Sequence, residues 1–197
     1  MRKNNGCEKS RRTAAGREGS ACRCEGGERV RRAIHIFPEF QNACAIDRLR
    51  EKYDPLFHLI QPHVTLVFPF ASGVPAESLR QHVKLSVRGL SPFEIVLRGV
   101  TGVDGEYLFL NVKVGNDRII ELHDRLYSGI LAQHLNRTVT YSPHLTVGRI
   151  NDKGIFELAL AETEHFGETF QATVHEIVVE KIDEGGKSTV EMTVPLD

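Results

Sequence analysis

The pentapeptide PHVTL at residues 62–66 returns as PHLTV at 143–147. The two histidines stand 81 residues apart, and other landmarks recur at nearly that offset: position 77 answers 158, Glu94 answers Glu176, and Tyr107 answers Ser188. So regular a period marks a duplicated unit. Two units of helix, strand, helix and hairpin related by a pseudo-twofold put their motif strands side by side or across a shared groove. Because side chains alternate along a strand, Val64, Leu66, Leu145 and Val147 then point into the core. His63, Thr65, His144 and Thr146 converge on the other face.

The local patterns support this organisation. Residues 30–37 (VRRAIHIF) and 63–68 (HVTLVF) read as strands, the second ended by Pro69, while Ala43, Ile46, Leu49 and Tyr53 fall at helical spacing. Residues 76–89 predict a helix stopped at Gly89, and 93–100 with 107–114 flank TGVDGE, whose glycines and Asp104 suit a hairpin turn. In the second unit, 117–135 predict one amphipathic helix, 144–150 a strand, 153–166 a short helix, and 172–182 with 188–196 a hairpin across DEGGK. The expected fold is α+β: two pseudo-symmetric lobes, each an antiparallel sheet with flanking helices, around a central groove.

At 197 residues the chain suits one domain or two intimately packed lobes. Residues 1–29 are rich in Gly, Arg and Ser and predict a disordered basic tail, so the bilobal domain spans 30–197. The tail holds eight Lys or Arg against four Asp or Glu, a charge of +4, which leaves −5 on the other 168 residues. A mildly acidic body argues against binding long duplex nucleic acid, where many phosphates would have to be neutralised. Three of the four cysteines (Cys7, Cys22, Cys24) lie in the tail and cannot staple the body, and with Cys44 they suit a reducing cytoplasm. No apolar run is long enough to predict a membrane span.

The paired motif suits a phosphodiester. One imidazole can take a proton from the attacking nucleophile while the other gives one to the departing oxygen, since both titrate near neutrality. The threonine hydroxyls, two residues along on the same face, can donate to the non-bridging oxygens. The scheme needs no metal and no cofactor. A strained diester such as a 2',3'-cyclic phosphate, in a cyclic nucleotide or at an RNA 3'-end, is the substrate it handles most readily. A single His-x-Thr in a strand is most often structural; the second copy at the matching place changes its meaning.

These motifs resemble the two His-x-Thr-x motifs of the 2H phosphoesterase superfamily, which includes bacterial 2'-5' RNA ligase and RNA cyclic phosphodiesterase proteins. The stretch AIHIFPEF…IDRLREKYDPLFHLIQPHVTLVFPF is similar to a small phosphoesterase branch of Bacillus-type bacteria. The resemblance covers about residues 31–195. It implies that His63 is the proton donor, His144 the proton acceptor, and Thr65 and Thr146 the phosphate contacts; the chemistry alone leaves that direction open.

Weaker candidates surround the motifs. Arg149 could pair with phosphate, but alternation turns it away from Thr146 unless Gly148 permits a bulge. Phe68 has the parity of the core and His35 that of a groove-lining or hydrogen-bonded structural residue, while His175 has no partner motif. Residues 50–54 (REKYD) and 125–131 (RLYSGIL) are rim elements by position, with charges expected to face water. Three other readings share the groove: an RNA-end or nucleotide-binding module without turnover, ligation as the working direction, and a metal hydrolase with both histidines as ligands. The last would need Asp, Glu or Cys converging on the pair.

Overall fold

The computed structural model describes residues 29–197. The expected tail, apart from Arg29, lies outside the described residues, and with it Cys7, Cys22 and Cys24. The strands are β1 (Val30–Ile36), β2 (Val64–Ser72), β3 (Phe93–Val103), β4 (Tyr107–Val114), β5 (His144–Arg149), β6 (Thr169–Val174), β7 (Glu176–Ile182) and β8 (Ser188–Pro195). The helices are α1 (Cys44–Tyr53), α2 (Ala76–Val87), α3 (Asn116–Leu126) and α4 (Lys153–Thr163), with a 3-10 segment at Gly129–His134. No helix among the described residues is long and apolar enough to cross a membrane.

All eight strands join one curled antiparallel sheet in the order β6-β3-β4-β5-β2-β1-β7-β8. The order is symmetric about its centre, where the two motif strands lie side by side and are joined by one ladder pair, Val64 with Leu145. The α+β architecture with two matched halves is therefore the one the repeat predicts. Each half, however, is built from both repeats. The hairpin β3–β4, which follows the first motif, pairs with the second motif strand (Leu110 with Leu145), and β7, which follows the second motif, pairs with β1 (Ile34 with Val179). Helices α1 and α4 pack on the β5 and β3 side, and α3 and α2 on the β2 and β8 side. The core lies between sheet and helices, with Ile34, Leu66, Val64, Leu108, Leu145 and Val147 fully buried.

Several elements differ from expectation for identifiable reasons. Residues 172–182 are two strands, not one, because the chain leaves β3's edge at His175 to cross to β1. The buried phase slips there, from Phe170, Ala172 and Val174 to Ile177 and Val179. The long helix stops at Leu126, since Gly129 adopts a left-handed φ of 49° and the Ser128 hydroxyl donates to the Arg125 carbonyl at 2.7 Å. Pro69 does not end β2. It sits where the register with β1 is interrupted, between Phe70 and Val67, so its missing N–H breaks no ladder bond.

Of the charges in 50–54, Glu51 and Lys52 face water as expected, but Arg50 and Asp54 are buried. Arg50 is 1% exposed and donates from Nε to Asp54 Oδ2 at 2.8 Å and from its fork to the Ile60 carbonyl at 2.8 Å. Asp54 in turn accepts the Leu56 N–H at 2.9 Å. One turn of α1 thereby holds the loop 54–62 that delivers the chain to His63. In the stretch 125–131, Tyr127 is likewise buried, and its hydroxyl accepts the Phe68 N–H at 2.9 Å. Replacing Arg50 by Ala strands the Asp54 carboxylate in the interior, so unfolding in urea should show a loss of about 3–5 kcal/mol.

Candidate active site

The ladder pair between β2 and β5 sets the floor of the site. With Val64 and Leu145 paired and buried, antiparallel alternation turns His63, Thr65, His144 and Thr146 onto the opposite, concave face, where all four are partly exposed. The structure thus brings together the four residues expected from the motifs. The two imidazoles are close enough for His63 to sense the charge on His144.

Each ring is held by the backbone just before it. His63 Nδ1 lies 2.8 Å from the Gln61 carbonyl and His144 Nδ1 lies 2.7 Å from the Ser142 carbonyl. A carbonyl only accepts, so Nδ1 carries the proton in both rings and Nε2 of the neutral ring is left with its lone pair. The prolines between, Pro62 and Pro143, restrict the preceding residue to extended backbone and so fix where each carbonyl points. That is the physical content of the proline in both motifs.

The surroundings break the symmetry. His144 stacks on Phe109 with centroids 3.5 Å apart, whereas His63 meets His35 edge-on at 4.4 Å and Phe37 at 6.0 Å. A cavity of about 550 Å3 opens on the β4–β5 side, lined by Thr65, His144 and Thr146 and walled by Phe68, Phe109 and Tyr141. Tyr141 donates to the Thr65 carbonyl at 2.7 Å and stacks on His123 at 3.8 Å, which ties the loop before β5 to β2.

Two irregularities of register decide which further side chains reach this face. Phe68, expected in the core, is 39% exposed and lines the cavity, because Leu66 and Val67 are both buried at the break in pairing with β1 and the alternation shifts by one. Arg149 pairs with Tyr107 and Thr146 with Phe109, with a register shift between, so Arg149 faces the same side as Thr146. Gly148 allows this: a Cβ there would come within 3.0 Å of Tyr53 Cβ and 3.1 Å of a Leu108 methyl. Arg149 stays at the rim, its Nε donating to Glu106 Oε1 at 2.8 Å and its guanidinium 5.3 Å over the Tyr107 ring.

His35 is 3% exposed and borders the site through His63. His175 lies at the β6–β7 crossing, and His82 and His134 pack away from the site against the Leu126 carbonyl and the Phe70 ring. Sequence reasoning missed Phe109 and Tyr141. The signal for Phe109 was present, since Tyr107, Phe109 and Asn111 alternate with the buried Leu108, Leu110 and Val112. Among the described residues, no group of three or more His, Cys, Asp or Glu is gathered as a metal would require.

Comparison with known proteins gives the family and the fold. A family model described as the 2'-5' RNA ligase superfamily matches residues 36–186. A protein of Geobacillus sp. (strain WCH70) named as a candidate phosphoesterase is 30% identical over 121 residues, covering 59% of this chain and 67% of that one. A likewise named protein of Bacillus cereus (strain B4264) is 30% identical over 118 residues, with the same coverage. Among solved structures, E. coli LigT complexed with 3'-AMP superposes with a TM-score of 0.58 at 16% identity, over 86% of this chain and 99% of that one. TT0787 of Thermus thermophilus gives 0.58 at 17%, over 84% and 97%. At such identities the structural likeness is one of fold.

Burial governs protonation at the site. It pushes His63 down from the ordinary 6.5 to about 4, against the Gln61 bond, which favours the charged ring. Burial also lowers His144, and it lowers His35 well below the usual range, with the His63 charge adding to the effect. In each case the folded ring binds its proton more weakly than the unfolded one. The resulting stability is complete above about pH 6.5 and is lost as pH falls through the folded value. Thermal unfolding should accordingly show Tm falling from pH 7 to pH 4.5. His35→Phe should show a smaller fall than wild type, and an equal fall would contradict the buried neutral state of that ring.

Proposed function

Because the chain belongs to the 2'-5' RNA ligase superfamily, we propose that it is a metal-independent phosphoesterase that opens a 2',3'-cyclic phosphate or related RNA-derived diester at the paired His-x-Thr motifs. What carries the reading is the placing of His63, Thr65, His144 and Thr146 on one concave face around the Val64–Leu145 contact. The nucleotide ligands with which E. coli LigT has been solved, 3'-AMP, ATP and NADP+, accord with it.

In this mechanism the His144 Nε2 lone pair takes a proton from water as its oxygen attacks phosphorus. Thr65 and Thr146 donate to the non-bridging oxygens as charge accumulates there. His63, protonated at Nε2, passes that proton to the departing 3'-oxygen, leaving a 2'-phosphate. The face of Phe109 favours the imidazolium that forms on His144. The nucleoside occupies the cavity beside His144, with its base against Phe68 or Tyr107. Arg149, tied to Glu106, adds positive potential at the rim without contacting phosphate.

Free His63, with its pKa near 4, is protonated in only about one molecule in 10³ at pH 7. A bound diester anion reverses that, since a negative charge beside an imidazole favours its charged form. The pH dependence follows. kcat/KM, which reports the free enzyme, should be highest below pH 6.5 and fall on the alkaline side as His63 deprotonates, while kcat should persist to higher pH.

Assayed in excess chelator on a panel of 2',3'-cyclic nucleotides, wild type should turn over, and His63→Ala and His144→Ala should each lose about 10²- to 10⁴-fold. Thr65→Val and Thr146→Val should lose less, about 10- to 100-fold. Binding without turnover, or activity that chelator abolishes and zinc restores, would contradict the mechanism.

A further inference from the structure

Behind His63 stands a third imidazole that the paired motifs do not account for. His35 pairs with Thr65 across β2 and with Val178 across β7, and its ring meets the His63 ring edge-on with centroids 4.4 Å apart. Glu180, two residues along β7 from Val178, approaches from the opposite flank, with Oε2 3.8 Å from His35 Nε2. His63, His35 and Glu180 therefore form a row across three adjacent strands, with His35 3% and Glu180 5% exposed.

Two atoms of this row are buried without a partner. Among the described residues, neither His35 Nδ1 nor Glu180 Oε2 makes a hydrogen bond, and 3.8 Å is beyond hydrogen-bond distance. Apolar side chains here would avoid the cost of burying both groups. The Ser188 hydroxyl favours the ionised carboxylate, and no lysine or arginine is paired with it among the described residues. Glu180 also borders a cavity of about 410 Å3, whose other titratable groups, His58 and Glu176, are exposed. The remaining charges that reach His63 give it little net support. Arg50 and Asp54 act on it in opposite senses, and His144 disfavours a second charge.

We propose that His35 and Glu180 are positioning residues for the acid step: in the substrate complex His35 donates its Nε2–H to Glu180 Oε2, and the carboxylate thereby supports the charged form of His63. The inference rests on the phosphodiesterase reading, which requires His63 to carry a proton at Nε2 while the anion is bound. Closing the gap from 3.8 Å to the hydrogen-bond range of about 3 Å is a small movement of one ring. An imidazole that donates to a carboxylate becomes more electron-rich, and such a ring set against an imidazolium favours the charge there. His35 stays neutral throughout and touches no substrate.

The test follows His63 in the full chain, as wild type, Glu180→Gln and His35→Leu. The first variant keeps the shape and removes the charge; the second removes both ring nitrogens, and either one alone carries the test if the other does not fold. Imidazole titrations by NMR with inorganic phosphate bound should show His63 losing its proton about one pH unit lower in both variants than in wild type, a tenfold loss of proton affinity, with a smaller change at His144. On 2',3'-cyclic nucleotides the alkaline limb of kcat should move down by the same amount. kcat should then be about 10-fold lower above the limb and near wild type below it, with KM unchanged. A purely structural role would lower kcat equally at every pH and leave the limb in place, and that result would overturn the inference. An unmoved His63 titration in both variants, with wild-type turnover intact, sinks the positioning pair alone. A lowered His63 titration in both variants, with no turnover by wild type, sinks the catalytic reading and leaves the pairing standing.

Discussion

Val64 and Leu145 form the ladder pair that joins the two halves of the sheet, and the face taken by the four motif side chains follows from it. Burying those two side chains on the helix-covered face turns their neighbours in each motif toward the concave face. A one-residue slip at this contact would send His63 and His144 into the core and the two apolar residues into the groove. The halves are bound together in other ways as well. Each takes its motif strand from one repeat and its hairpin from the other, so neither repeat could close its own half of the sheet.

Desolvation makes the floor of the groove an unusual place for two histidines. Alone, each imidazole is driven toward its neutral form, and the backbone carbonyls at Gln61 and Ser142 then determine that the free nitrogen is Nε2. In the proposed reaction, two neutral rings aimed at one face gain their charge when an anion enters. His144 stacks on Phe109 and His63 meets His35 edge-on, so the two rings stand in different surroundings. Cavities open on both flanks of the paired motif strands.

The repeat and the alternation of apolar residues were enough to place both motif strands, most helices and the four converging side chains from sequence. What they could not supply was register. The interruption beside Pro69 carries Phe68 out of the core, and the shift at Gly148 carries Arg149 onto the groove face, because a bulge depends on what the partner strand does. The crossing at His175 is a different case, since its phase slip from Val174 to Ile177 is visible in the sequence once sought. Arg50 and Asp54 follow the rule that helix charges face water until the loop they hold is seen: their burial depends on the Ile60 and Leu56 backbone, which no helical pattern reports.

The most direct measurement of the central claim is a titration of the imidazole nitrogens of His63 and His144 by NMR, with and without inorganic phosphate. Two rings over one phosphorus should both titrate below 6.5 when free, both shift at Nε2 when phosphate is added, and both rise in pKa together. A response from one ring alone, or from neither, would mean that they do not share a site.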